Sequence, residues 1–144
     1  MVTYKKIAVI ALTMLMGGCA TAYQKNNAWS LTGGFSESEA PGKLTKIAFS
    51  GNAYISLETA SKFTLYRCAE FAKEKNFSHF ILYESLSHAA IGKPSDSVIK
   101  GVLGEAPFTS TYILLRNSGG PGTWNAEIIL KTHHDIVHPA KSAG

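Results

Sequence analysis

Leu57-Glu58-Thr59-Ala60-Ser61-Lys62-Phe63-Thr64-Leu65-Tyr66-Arg67-Cys68-Ala69-Glu70-Phe71-Ala72-Lys73-Glu74-Lys75 carries a helical period over its whole length. On a 3.6-residue wheel Leu57, Ala60, Thr64, Leu65, Cys68, Phe71 and Ala72 share one side, while Lys62, Glu70, Lys73 and Glu74 lie opposite. Ser56 stands where a side-chain oxygen caps the first turn. Asn76 suits a left-handed residue at the helix end, with Phe77 folding back on the last turn.

The flanking sequence reads as strands. Leu44 to Ser50 alternates Thr45, Ile47 and Phe49 with Lys46, Ala48 and Ser50, the period of a half-buried strand. Leu31 to Glu39 reads as a first strand, although Gly33-Gly34 interrupts it, and Pro41-Gly42 reads as a turn. His79 to Leu86 and Thr109 to Arg116 are rich in strand formers. Residues 88–107 hold glycines, prolines and little periodicity, so a long loop is expected. Ser118-Gly119-Gly120-Pro121-Gly122 is a breaker. Trp124 to Thr132 fits either a short strand or a helical turn or two. The tail from His133 is polar, and fraying is expected there. The fold class is therefore α+β, a single domain with one principal amphipathic helix on a small, mainly antiparallel sheet.

The N-terminus carries the other strong signal. Lys5 and Lys6 precede an apolar run from Ile7 to Met16, and Gly17-Gly18-Cys19 follows. At ~1.5 Å per residue that run covers about half of a ~30 Å hydrocarbon core. It reads as a processed signal and not a resident span. The pattern resembles the bacterial lipobox, which implies acylation of Cys19 and a mature chain that begins there. The expected organisation is a lipoprotein signal peptide over 1–18, a lipidated N-terminus and tether over 19–30, an α+β domain over 31–132 and a flexible tail over 133–144.

Composition narrows the function. The chain has 144 residues, 45% hydrophobic and 17% charged. Its formal charge of +4 includes Lys5 and Lys6, which leave with the signal. So small a balance makes no case for nucleic acid or for a polybasic membrane patch. With Cys19 acylated, Cys68 has no partner for an intramolecular disulfide. Its mid-stripe position predicts a small buried hydrophobe and not a nucleophile.

His133-His134 with His138 has the best metal-like spacing, since His134 and His138 would share a helix face. Pro139 follows at once and no carboxylate or cysteine cluster completes a set, so solvated tail histidines are expected. Gly119-Gly120-Pro121-Gly122 lacks the Lys-Ser/Thr ending of a phosphate loop, and its proline removes an amide donor. Gly51-Asn52 is strand-to-helix punctuation. No Gly-x-Ser-x-Gly elbow or His-Glu-x-x-His helix occurs. Glu37 and Glu39 point to the same strand face, as on a solvated edge. Arg67 beside Glu70 at i+3 reads as a boundary ion pair, or as a buried structural bridge. No catalytic residue, cofactor site or metal site is expected.

Gly34-Phe35-Ser36-Glu37, Phe49-Ser50-Gly51-Asn52, Arg67-Cys68-Ala69-Glu70, Phe77 and Phe80 occur in order. Together with the lipobox they resemble a family of small, uncharacterised Gram-negative lipoproteins with G-[YF]-S-E, F-x-G-N and R-A-A-E blocks. This chain departs from it with Cys68 in place of alanine and Asn76 in place of glycine. The resemblance implies a lipid-anchored protein of the envelope and a helical block at Trp124-Asn125-Ala126-Glu127, but no catalytic residue. Ala20 after the cysteine, by resemblance to Gram-negative sorting, points to the outer membrane, facing the periplasm. The expected role is non-enzymatic contact with an envelope protein partner. The alternative is a small-ligand binding module with a groove between helix and sheet.

Overall fold

Ser56 starts the principal helix as its side chain predicts: the Ser56 hydroxyl accepts a hydrogen bond from the Thr59 amide at 3.0 Å. The helix, α1, runs Leu57–Glu74. It ends in a left-handed Asn76, φ 63°. The Phe77 amide reaches back to the Ala72 carbonyl at 2.8 Å, and the Asn76 amide to Lys73 at 3.0 Å, a pair of bonds that closes the last turn. In this computed structural model the described residues are 22–26 and 33–140. The signal over 1–18, Cys19, Leu31 and the last four residues of the tail lie outside them.

The α1 helix packs on one face of a six-stranded sheet. The strands are β1 Gly34–Ala40, β2 Leu44–Ser50, β3 His79–Tyr83, β4 Ile99–Leu103, β5 Ala106–Arg116 and β6 Thr123–Asn125. Their order is β1-β2-β5-β3-β6, and every pairing between them is antiparallel. At 11 residues β5 is the longest strand. Its partner β2 covers one edge, while β4 and β3 share the other end to end. Two further helices complete the described residues: the short α2 Leu86–Ala90 and the longer α3 Ala126–Val137. Asn125 caps α3 through the Ile128 amide at 3.1 Å. The Ala126 amide bonds the Ser78 carbonyl near the end of α1, and Val137 packs with Ile55 and Phe63 near its start, so α3 runs antiparallel beside α1.

Two clusters form the core. Beneath the C-terminal half of α1, Cys68, Ala69 and Ala72 meet Ile47, Phe80, Leu82 and Ile113 of the sheet, with Ala126 and Ile129 of α3. Around its N-terminal half, Phe63 and Tyr66 meet Phe35, Phe49, Ile55 and Val137. Between them Ala60 is fully buried and the Thr64 and Thr109 hydroxyls lie 2.6 Å apart. Both hydroxyls are within reach of the Ala60 carbonyl, so close approach of helix to strand leaves no polar atom stranded.

Four sequence expectations change. Residues 88–107 are not one loop: they include the end of α2 and all of β4, which pairs with the first half of β5 in a register no local pattern announces. Trp124 to Thr132 is both strand and helix, with Trp124 opposite Phe80 in β6 and α3 starting two residues later. The tail is ordered as far as Val137, because that side chain completes the buried face of α3. The tether is docked over residues 22–26. Asn26 and Phe35 exchange bonds with this segment and β1, with the Asn26 amide on the Phe35 carbonyl at 2.7 Å and the Phe35 amide on Gln24 at 2.8 Å. Gly34 serves this approach, since a Cβ there would lie 2.5 Å from the Gln24 carbonyl oxygen; Gly33 passes β2 as closely, a Cβ there falling 2.2 Å from the Ser50 carbonyl oxygen.

Candidate functional site

Three polar or reactive clusters come from the residues singled out above. The first surrounds Arg67. Its side chain is buried and faces Glu37 of β1, Glu70 and Glu74. Nε donates to Glu37, and Nη1 donates to Glu70 at 3.1 Å. The two terminal nitrogens grip Glu74 in a fork, at 2.7 and 2.9 Å. The guanidinium also covers the Phe35 ring, 4.9 Å from its centroid. Burial opposes the charged form of Arg67, but its hydrogen bonds to Glu74, Glu37 and Glu70 outweigh it and raise its pKa. The same bond from Arg67 lowers the pKa of Glu74, and Lys75 and Lys25 add to that effect.

The cluster joins two sequence blocks, since Glu37 closes Gly34–Glu37 and Arg67 opens Arg67–Glu70. It is the buried bridge and not the boundary pair. Glu37 leaves the solvated edge to serve it, while Glu39 stays exposed. A fifth participant, Tyr23, has no signal in the sequence because it lies in the presumed tether. Its hydroxyl donates to Glu70, and its ring packs against Phe35, Phe63 and Tyr66 with centroids 5.1, 5.5 and 5.4 Å away. With all three guanidinium nitrogens engaged, the arrangement is built to hold three segments together.

Cys68 is fully buried, and burial raises its thiol pKa, which disfavours the nucleophilic thiolate. His134 and His138 do approach, with rings 5.2 Å apart, but His138 packs edge-on to Tyr23 and Tyr66. Among the described residues no group of three potential ligands could hold a metal ion. Gly119-Gly120-Pro121-Gly122 is a turn closed by the Thr123 hydroxyl, which receives the Gly120 amide at 2.8 Å. Asn52 turns the chain into the helix by accepting the Tyr54 amide at 3.1 Å.

Two of the surface depressions adjoin the sheet and carry apolar linings. One lies between α1 and the sheet, about 330 Å³, lined by Lys62, Leu65, Val98, Lys100, Trp124 and His133 among others. Burial and the nearby Lys62 lower the pKa of His133, and Lys62 is engaged by Glu58 at 2.7 Å. The other lies on the sheet face that no helix of the α1 layer covers, about 360 Å³, lined by Pro41, Leu44, Tyr83, Leu86, Ala89 and Leu114 among others. The β1 and β2 register places Leu44 and Lys46 on this face, and β5 adds Tyr112 and Leu114. No family model, no curated protein and no solved structure matches the chain.

Proposed function

We propose that the protein is a lipid-anchored, periplasm-facing envelope lipoprotein that acts by protein–protein contact and not by catalysis. The supporting observation is the outer face of the sheet. The two long helices lie together on the opposite face, leaving Leu44, Tyr83, Leu114 and the exposed Leu86 around a shallow apolar depression. An apolar depression with an exposed leucine at its rim is a place where a partner's side chain can be buried. Cys19 supplies the attachment in this reading.

The groove beside Trp124 favours a second reading, a small-ligand module. Its apolar floor of Leu65, Leu82 and Val98 meets Lys62, Lys100 and His133 at one rim, the usual mixture of a ligand site. One experiment separates the readings: crosslinking of intact envelopes that carry the wild type, Cys19→Ser or Leu86→Asp, with labelled palmitate added. Cys19→Ser should lose both the palmitate and the crosslinked partner. Leu86→Asp should keep the palmitate and lose the partner. Undiminished acylation of Cys19→Ser removes the anchor, and unchanged crosslinking of Leu86→Asp removes the outer face as the contact surface.

A further inference from the structure

We infer that one pole of the domain rests on the lipid leaflet that holds the Cys19 acyl chains, with Tyr54, Leu103 and Ile136 at the headgroup boundary. This rests on the acylation of Cys19 proposed above. The starting observation is that the chain next to the anchor is docked. Three peptide units separate Cys19 from Ala22, so their Cα atoms lie no more than about 11 Å apart in any conformation. Ala22 and Tyr23 line a depression of about 570 Å³ together with Tyr54, Ile55, Ile136 and Pro139. The acyl chains therefore leave from beside this depression and cannot be held far from it.

The same pole gathers exposed apolar side chains that packing within the domain does not explain. Tyr54 is 67% exposed, Val102 63%, Leu103 72% and Ile136 37%. The β4–β5 hairpin tip belongs to this end, because the Gly51 amide bonds the Pro107 carbonyl at 2.9 Å and Val102 pairs with Pro107. Ile136 belongs to it because α3 ends there. Tyrosine and branched aliphatics are the residues that partition into an interface, each with its apolar body inward and any polar tip toward water. Such a face adds to the membrane affinity of an acyl anchor and fixes the orientation of the domain. The outer sheet face with Leu86 then stays clear of the lipid.

Acylated full-length protein carrying Tyr54→Cys, Leu103→Cys or Ile136→Cys, and Ile128→Cys as control, tests this. Ile128 is exposed at the start of α3, at the opposite end of the domain, and the buried Cys68 leaves the introduced thiol to take a nitroxide label. Each sample is reconstituted in phosphatidylethanolamine–phosphatidylglycerol vesicles, floated, and probed with oxygen and a nickel chelate. The oxygen-to-nickel collision ratio should be several-fold higher at 54, 103 and 136 than at 128. Equal ratios at all four positions on floated vesicles overturn the inference while leaving the anchor intact. Failure to float overturns the anchor, and the inference with it.

Discussion

The two halves of α1 are buried in different ways. Its C-terminal half sinks Cys68, Ala69 and Ala72 into an aliphatic cluster closed by continuous elements, the sheet below and α3 beside it. Its N-terminal half is sheathed in aromatic rings, Phe35, Phe49, Phe63 and Tyr66, and part of the cover is the short segment carrying Tyr23. The first cluster depends on the fold as a whole. The second depends also on a piece of chain a few residues from Cys19, pinned through Glu70 to Arg67. The two ends of α1 thus rest on different cover, continuous elements at one and in part a short docked segment at the other.

The largest effect should come from the aliphatic end. Cys68→Asp places an unpaired carboxylate where no water reaches, which should cost more than ~4 kcal/mol and prevent stable folding of a domain holding ~5–15 kcal/mol in all. Cys68→Ala removes only a sulfur and should cost ~1 kcal/mol. Urea denaturation reads both. A soluble, cooperatively unfolding Cys68→Asp protein would show that this end is not the keystone.

Arg67→Met tests the junction between the halves. It leaves Glu37, Glu70 and Glu74 facing one another without their cation. Removing one partner of a fully buried pair costs ~3–5 kcal/mol. These carboxylates are part-exposed and can rehydrate, so about 2–3 kcal/mol is expected at neutral pH. The pH dependence carries a definite sign. In the wild type Glu74 has a folded pKa below its unfolded one, so the stability it contributes is present above ~4.3 and is lost as pH falls through the folded value. Without Arg67 that acid-side loss should vanish, since protonation then relieves repulsion. Urea midpoints at neutral and acid pH check this. Parallel declines of wild type and variant on acidification would mean that the cluster is not coupled to folding.

What could be read from sequence follows the same division. Caps are local, so Ser56 and Asn76 were legible, and the apolar stripe correctly buried Ala60, Thr64, Cys68, Phe71 and Ala72. A single stripe assumes one covered face. The α1 helix is covered on two, which is why Phe63, Tyr66 and Arg67 are buried although the wheel left them off the stripe. The partners that cover the second face come from far along the chain: Glu37 is 30 residues from Arg67, and Tyr23 is 47 from Glu70. No window of sequence contains both members of either pair. The same reason hid β4, a strand only because β5 pairs with it, and whose side chains are largely exposed.

The smallest effect should be the most diagnostic, because it touches the docked segment alone. Tyr23→Phe keeps the ring contacts with Phe35, Phe63 and Tyr66 and removes only the hydroxyl bond to Glu70. A hydrogen bond to a charged group contributes ~1.5–3 kcal/mol when buried, and Glu70 is partly solvated, so a loss of about 1 kcal/mol is expected, confined to local opening. Amide exchange at Asn26 and Phe35 should quicken about fivefold while the α1 amides keep their protection. An alkaline signature accompanies it. Burial, reinforced by the bond to Glu70, raises the Tyr23 pKa above the ordinary ~10. The docked state therefore holds a proton that the released state gives up, and docking weakens as pH climbs past ~10. Ultraviolet difference titration should show Tyr23 as a late-ionising phenol, absent in Tyr23→Phe. If the variant exchanges Asn26 and Phe35 at the wild-type rate, the hydroxyl does not hold the segment. The ring contacts alone would then hold residues 22–26 against α1, and the two ends of α1 would be alike in resting on packing.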